Sequence, residues 1–168
     1  MPEAFAIPCV GAIIRRQIDG QEFILIQERR KAGGGIENGM LELAAGKVRE
    51  YENVFDALRR EVREETGLTL TSIQGEQGRT VQTVNGYEVM SFMPFCITQN
   101  LSGGYSILLH SFVCEADGIL LEGTAETANI RWISKSECQE MLREHPADFY
   151  PLHINALSKY LGVKEELK

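Results

Sequence analysis

Short apolar runs, rich in β-branched residues, alternate along the chain with polar, glycine-containing turns. Two pairs of such runs are joined by Asp-Gly or Asn-Gly, which suit two-residue type I′ turns because both central residues there need positive φ. The pattern therefore predicts two β-hairpins. They are residues 10–18 with 23–26 across Asp19-Gly20, and residues 80–84 with 87–98 across Asn85-Gly86. Two further runs predict strands at residues 105–114 and 130–133.

Three segments carry signals of a helix. Apolar residues recur every four positions within residues 53–66, and Gly67 then suits a left-handed C-terminal cap. Ser134 and Glu137 have the spacing of a capping box, in which each side chain satisfies a free backbone N–H. A third helix is predicted at residues 149–160. Since hairpins and helices are interleaved, the sequence predicts an α/β fold, with helices packed against a mixed sheet.

Length and composition limit what this chain does. Its 168 residues suit one domain, expected to span residues 1–168, and 43% of them are hydrophobic. The formal net charge of −7 argues against a protein that binds long nucleic acids, which needs clustered basic residues. No segment is long and apolar enough for a signal peptide or a membrane span, and the four cysteines form no CxxC pair. We therefore expect a cytoplasmic protein with free thiols and no membrane partner.

The candidate chemistry lies at the end of the first predicted helix. Glu61, Glu64 and Glu65 stand at i, i+3 and i+4, so their carboxylates share one face. Like charges at this spacing repel, and a hard divalent cation such as Mg²⁺ would offset the repulsion. The alternative is a solvated acidic helix face, which is what most charge runs are.

The residues around these glutamates decide between the two interpretations. Residues 46–68 read GKVREYENVFDALRREVREETGL and match every fixed position of the pattern GX5EX7REUXEEXGU, where U is aliphatic. The chain therefore resembles the Nudix (MutT-like) hydrolase family over its whole length. The resemblance implies an α/β/α sandwich around a mixed sheet, in which this Nudix box forms a loop–helix–loop.

The resemblance also implies a metal site. Glu61, Glu64 and Glu65 match the metal-binding carboxylates of the family, and the backbone carbonyl of Gly46 matches a frequent additional ligand. Mg²⁺ is the expected cofactor, with Mn²⁺ as an alternative. Arg60 is expected to hold the carboxylates through charge-assisted hydrogen bonds.

The family reaction is the attack of water on a phosphorus of a nucleoside diphosphate linked to another group. A carboxylate accepts the proton of that water. Glu64 is the first candidate for this base, because it lies in the box. Glu126, in a loop before the strand of Trp132, is the second, and Glu115 is the third.

The substrate is indicated less directly. Residues 41–46, LELAAG, look like the ELPAG sequence of Nudix enzymes that act on ADP-ribose and other nucleotide sugars, although Ala44 replaces the usual proline. One alternative is a (deoxy)nucleoside triphosphate pyrophosphohydrolase. Another, from a different class, is a non-catalytic nucleotide-binding regulatory module. A homodimer would be typical of the family.

Basic and aromatic residues provide candidate contacts to such a substrate. Arg29 and Arg30 are candidates because a guanidinium can pair with two phosphate oxygens at once, and Lys47 is a weaker one. Tyr105 is one of the aromatic residues that could stack on a base, although core packing is the default. The three histidines, His153 among them, have no spacing that indicates a triad or a metal site.

Overall fold

Within residues 2–33 and 35–164, which the computed structural model describes, eight strands form one mixed sheet and two more form a separate hairpin. The strands are β1 (Ile7–Ile18), β2 (Gln21–Arg29), β3 (Leu41–Glu42), β4 (Ala44–Lys47), β5 (Thr69–Ile73), β6 (Thr80–Val84), β7 (Tyr87–Ser91), β8 (Cys96–Gln99), β9 (Ile107–Asp117) and β10 (Thr127–Ser134). The helices are α1 (Val54–Thr66), α2 (Lys135–Glu144) and α3 (Pro151–Leu161), with short 3₁₀ turns at Glu76–Gly78 and Pro146–Asp148.

Strand β1 lies at the centre of the sheet, whose main path runs β10–β2–β1–β9–β5. It pairs in parallel with β9 along residues 7–14, but antiparallel with β2 only along residues 15–18. Beside residues 9–12 of β1 the neighbour is β4 instead, while β3 pairs with β2. The segment of β3 and β4 therefore fills a split between β1 and β2 and brings its residues to the middle of the sheet.

Helix α1 covers one face of the sheet, and helices α2 and α3 cover the other. Successive residues of β1 pack on opposite sides: Ala12 and Ile14 belong to the core under α1, whereas Ile13 belongs to the core under α2 and α3. Because both faces are buried, the central strands are apolar at consecutive positions rather than alternately polar. This arrangement confirms the predicted α/β/α sandwich.

The turn signals predicted both hairpins correctly. Asp19 and Gly20 have φ of 50° and 79°, and Asn85 and Gly86 have φ of 51° and 79°, as a type I′ turn requires. The predicted strand at residues 87–98 is wrong in its length, since β7 ends at Ser91 and β8 pairs with β9 instead. Pro94 lies in the break, where it has no N–H to donate to a partner strand.

The predicted helix ends are present, although only one of the two hydrogen bonds expected of the capping box is seen among the described residues. The Ser134 hydroxyl accepts a hydrogen bond from the Glu137 N–H at 3.1 Å, and Gly162, with φ of 67°, ends α3. Three of the four free cysteines are buried, and Cys96 is partly exposed. Among the described residues, no helix has the length and hydrophobicity that crossing a membrane requires.

Candidate active site

Helix α1 presents its acidic face because its other face is anchored in the core. The Asn53 side chain caps the helix by accepting a hydrogen bond from the Phe55 N–H at 2.9 Å, and Gly67 ends it with φ of 80°. Phe55, Leu58 and Val62 are completely or almost completely buried against the sheet. The apolar stripe thus fixes the rotation of the helix and leaves the three glutamates at the side of β4.

Position 46 requires a glycine because the Glu61 carboxylate lies very close to the backbone there. A Cβ placed there would lie only 2.0–2.3 Å from the carboxylate atoms of Glu61. The backbone of Gly46 does not have positive φ, so the requirement is steric rather than conformational. The Glu61 carboxylate therefore lies directly against the backbone of β4.

Arg60 connects the helix to the loop before it. Its guanidinium donates to both oxygens of Glu52, at 2.8 and 2.9 Å, and to the Lys47 carbonyl at 3.0 Å. It also donates to Glu61 and lies 3.6 Å from a carboxylate oxygen of Glu64. The hydrogen bonds that Arg60 donates to Glu52 hold the pKa of Glu52 at about 2, and the same hydrogen bonds raise the pKa of Arg60. Arg60 thus contacts Glu52 and Glu61 through hydrogen bonds, and its role in catalysis stays a prediction.

Glu65 has very different surroundings. One of its carboxylate oxygens accepts hydrogen bonds from the Gln27 amide at 2.9 Å and from the Ala45 N–H at 3.1 Å. Burial, strengthened by the negative charges of Glu42 and Glu61, raises the pKa of Glu65 to about 8. Burial also raises the pKa of Glu61, and Arg60 opposes this rise only in part. The helix face therefore carries two carboxylates whose ionisation is disfavoured.

The sequence did not indicate the buried partners beneath Glu65. Gln27 is 1% exposed and Glu42 is 6% exposed, and the Gln27 amide lies 3.5 Å from a Glu42 oxygen. Arg29 donates to Glu42 at 2.9 Å and stacks over the ring of Tyr150 at 4.3 Å. An alternating pattern, Leu-Glu-Leu in residues 41–43, was the signal that could have assigned Glu42 to a short strand.

The carboxylates face a cleft of about 650 Å³. Its lining residues are Arg29, Lys31, Glu42, Ala45, Gly46, Lys47, Arg49, Arg60, Glu61, Glu64, Glu65, Thr124, Ala125 and Glu126. The structure thus brings together the predicted residues Gly46, Arg60, Glu61, Glu64 and Glu65 with Glu126 and Lys47. Glu64 is the open member of the helix face, with 55% of its side chain exposed.

Three other predicted residues either have a partner already or lie outside the lining of the cleft. Arg29 lines the cleft, but its guanidinium already contacts Glu42 and Glu37, and only 11% of the side chain is exposed. The Arg30 side chain is exposed and lies outside the lining, although its N–H donates to the Glu126 carbonyl at 2.7 Å. Glu115 lies away from the cleft, beside Arg15 at 3.5 Å.

The glutamates line the same cleft, but their side chains do not form a closed metal-coordination site among the described residues. Among the described residues, no three Asp, Glu, His or Cys side chains converge closely enough to surround an ion. Arg60 holds Glu61 and Gln27 holds Glu65, whereas Glu64 is exposed. Oxygen ligands of this kind suit a hard divalent cation.

A family model supports the assignment of the whole fold. The model described as NUDIX domain matches residues 7–153, which is most of the chain. This chain belongs to the Nudix family. The family consists of hydrolases that act on pyrophosphate bonds, and its members generally use divalent metal ions. No curated protein matches this Nudix sequence significantly.

Solved structures share the fold of this Nudix protein. The ORF135 protein of E. coli is 25% identical, with a TM-score of 0.57, and the match covers 93% of this chain and 89% of that one. A protein of Jonesia denitrificans, described as a possible asymmetric diadenosine tetraphosphate hydrolase, is 15% identical, with a TM-score of 0.65 and 95% of both chains covered. The NUDIX domain of Shewanella oneidensis NrtR, solved with ADP ribose, is 12% identical, with a TM-score of 0.63 and coverage of 94% and 88%.

Proposed function

We propose that this protein is a Mg²⁺-dependent hydrolase that cleaves the diphosphate linkage of a nucleoside diphosphate bound to another group, with ADP-ribose or another nucleotide sugar as substrate. The observation that carries the proposal is the composition of the cleft. Glu61, Glu64 and Glu65 line it together with the basic residues Lys47 and Arg49. Carboxylates can hold a cation and the basic side chains can hold phosphate oxygens, as diphosphate cleavage requires.

The residues present fit a divalent cation. Glu61, Glu64, Glu65 and the Gly46 carbonyl are hard oxygen donors on one side of the cleft. Burial raises the pKa values of Glu61 and Glu65, and Arg60 opposes this rise only in part at Glu61, so a cation would supply further compensation. Bound there, Mg²⁺ or Mn²⁺ would neutralise phosphate charge and acidify a water molecule.

The protein supplies the remaining functions. Arg60 fixes Glu61 and the loop of Glu52, so that the carboxylates stay aligned with β4. We assign proton transfer from the attacking water to Glu64, because it is the most exposed of the three helix glutamates. Glu126 lines the same cleft and is the second candidate for this base.

Substrate contacts follow from the same lining. Lys47 offers a point charge for a phosphate oxygen, and its carbonyl is already fixed by Arg60. The Arg29 guanidinium is already paired with Glu42, so it would contribute positive charge to the cleft rather than direct hydrogen bonds to phosphate. The role of Arg30 stays a prediction, as do the homodimer and the cytoplasmic location.

The nucleotide-sugar class draws support from two observations. Residues 41–46 resemble the sequence that precedes the box in enzymes of ADP-ribose, and one solved neighbour carries ADP ribose. An activity screen tests this substrate class. Purified protein with Mg²⁺ is incubated separately with ADP-ribose, nucleotide sugars, dinucleoside polyphosphates and nucleoside triphosphates, and a coupled phosphatase assay detects the product. Cleavage of nucleotide sugars that EDTA abolishes supports the proposal. Cleavage of triphosphates alone would instead identify a nucleoside triphosphate pyrophosphohydrolase. Binding of a nucleotide without cleavage would identify a non-catalytic binding module.

The role of Glu64 predicts the result of one substitution. Glu64→Gln keeps the size of the side chain but removes a metal ligand and the base, so turnover should fall by about two orders of magnitude or more. The matched control is Glu140→Gln, which changes an exposed glutamate of α2 on the other side of the sheet. Equal turnover of the two variants would refute the assignment of Glu64.

A further inference from the structure

A buried glutamine lies between two carboxylates beneath the cleft. Gln27 belongs to β2, and Leu25, two residues earlier, packs in the core under α1, so the Gln27 side chain lies on the same face of the sheet. Gln27 is also the direct partner of Glu42 in the antiparallel pairing of β2 with β3. The register of these strands therefore brings the Gln27 amide beneath the last turn of α1, where it meets Glu65.

The two carboxylates determine the orientation of this amide. The Gln27 Nε2 donates to Glu65 at 2.9 Å and lies 3.5 Å from a Glu42 oxygen, whereas the Gln27 Oε1 is buried and has no hydrogen-bond partner among the described residues. Turning the amide by half a rotation would place Oε1 against carboxylate oxygens, which are also acceptors. Gln27 thus serves here as a donor, although the unpartnered Oε1 destabilises the folded protein.

Both hydrogen bonds to Glu65 reach the same carboxylate oxygen. The Gln27 Nε2 and the Ala45 N–H donate to Oε2, at 2.9 and 3.1 Å. No hydrogen bond within the described part of the chain reaches Oε1 of Glu65, and Oε1 is not one of the buried atoms without a partner, so it is open to the cleft that Glu65 lines. The carboxylate is therefore held at one oxygen and available at the other, which suits coordination of a cation through a single oxygen.

We propose that Gln27 is a positioning residue for the metal site, which holds Oε2 of Glu65 so that Oε1 faces the cation. The inference rests on the proposed function, which places a divalent cation at Glu65. Ala45 supplies its donor from the backbone, so Gln27 is the side chain whose substitution would release Oε2. Without Gln27, the Glu65 carboxylate would keep one hydrogen bond and would rotate more freely, and binding of a cation would have to order it again.

Binding of Mn²⁺ in the absence of substrate tests the proposal. Electron paramagnetic resonance measures free Mn²⁺ in titrations of the wild type and of two variants. Gln27→Met keeps the length of the side chain but has no donor, so the affinity for Mn²⁺ should fall about tenfold, as is typical when the partner of a metal ligand is removed. Gln27→His places a ring N–H at a similar reach and should recover most of the affinity.

A matched control and a double variant separate positioning from stability. Gln17→Met removes the hydrogen bond of another glutamine amide to a carboxylate, that of Glu22 at 3.3 Å, outside the lining of the cleft, and should bind Mn²⁺ like the wild type. In Glu65→Gln, which lacks the ligand, adding Gln27→Met should cause no further loss of Mn²⁺ affinity, because Gln27 acts through Glu65. If Gln27→Met does not fold, Gln27→Asn, whose amide is too short to reach Oε2, replaces it in the same comparison.

A purely structural role of Gln27 predicts a different result. The melting temperature of Gln27→Met would then fall while its Mn²⁺ affinity stayed that of the wild type, and this outcome would overturn the proposal. A further loss of affinity in the double variant, or a wild type that binds no Mn²⁺, would overturn it as well. The hydrolase assignment is tested separately, because Mn²⁺ binding that depends on Gln27 without any diphosphate cleavage would retain the positioning role and reject the enzyme.

Discussion

The two ends of the acidic face of α1 are held in opposite ways. At one end, Arg60 pairs with Glu52 and Glu61, and its positive charge compensates Glu52 and part of the charge of Glu61. At the other end, Glu65 and Glu42 share the neutral amide of Gln27 and are buried. The pKa of Glu52 is held at about 2, whereas that of Glu65 is raised to about 8.

This difference shows how one helix can carry both rigid and responsive carboxylates. The Arg60 end has a positive charge of its own, whose hydrogen bonds fix the geometry of Glu52 and Glu61. Arg29 pairs with Glu42, but Glu65 itself accepts only from the Gln27 amide and the Ala45 N–H, which donate without cancelling charge. An incoming cation therefore has the most to compensate at Glu65, while the Arg60 end keeps the neighbouring backbone in place.

The largest expected effect comes from breaking the Arg60 end at Gly46. In Gly46→Ala, the new Cβ would overlap the Glu61 carboxylate, which must move away from Arg60 and from β4. Because the displaced atoms are the far end of a flexible side chain, the fold should survive. Turnover should fall about 100-fold or more, since a displacement of about 1 Å can cost that much.

Two measurements check this prediction, namely steady-state turnover and thermal unfolding. The control is Gly78→Ala, where a Cβ meets nothing within 4 Å and φ is not positive. That variant should keep wild-type turnover. If Gly46→Ala were as active as Gly78→Ala, the contact between Glu61 and β4 would have no role in catalysis.

A smaller effect is expected when the Arg60 fork is replaced by a point charge. Arg60→Lys cannot donate to both oxygens of Glu52 and also reach the Lys47 carbonyl, so the loop and Glu61 should lose alignment. Turnover should fall about tenfold, as is usual for residues that orient metal ligands.

The adjacent arginine provides a matched control. Arg59 pairs with both oxygens of Glu76, at 2.8 and 2.7 Å, outside the lining of the cleft. Arg59→Lys should therefore lower the thermal stability by a comparable amount while leaving turnover unchanged. Equal losses of turnover in the two variants would mean that Arg60 acts on stability alone.

The sequence predicted the Arg60 end far better than the Glu65 end, and the reason is physical. Arg60, Glu61, Glu64 and the caps of α1 lie within one helix and its flanking loops, where spacing alone determines which side chains meet. The apolar stripe then determines which face of the helix is buried. Local periodicity therefore predicted the shared face of the glutamates, and the resemblance to the Nudix box predicted the contact of Arg60 with them.

The Glu65 end depends on contacts that are distant in sequence. Gln27 and Glu65 are 38 residues apart, and they meet only because β3 and β4 split the sheet beside β2. Gln27 follows an apolar run and looks like an ordinary strand position, and the alternation at residues 41–43 indicates a short strand without indicating its neighbour. Arg29 illustrates the same limit, since its predicted phosphate contact gave no hint of its pairing with Glu42.

The smallest expected effect is a change with pH in the stability that Glu65 contributes to the folded protein. The pKa of Glu65 is about 8 in the folded protein and near 4.5 for an ordinary glutamate, so between these values the folded state holds the extra proton. Without metal, the stability linked to Glu65 is therefore fully present below about pH 4.5 and is lost as pH rises through 8. Glu65→Gln, which stays neutral and can still accept from Gln27, lacks this loss. In EDTA, the melting temperature of this variant relative to the wild type should therefore rise by a few degrees between pH 5 and pH 8.5. Adding Mg²⁺ at pH 8.5 should raise the melting temperature of the wild type only. A melting-temperature difference that stays constant with pH would show that burial of Glu65 does not disfavour its charge.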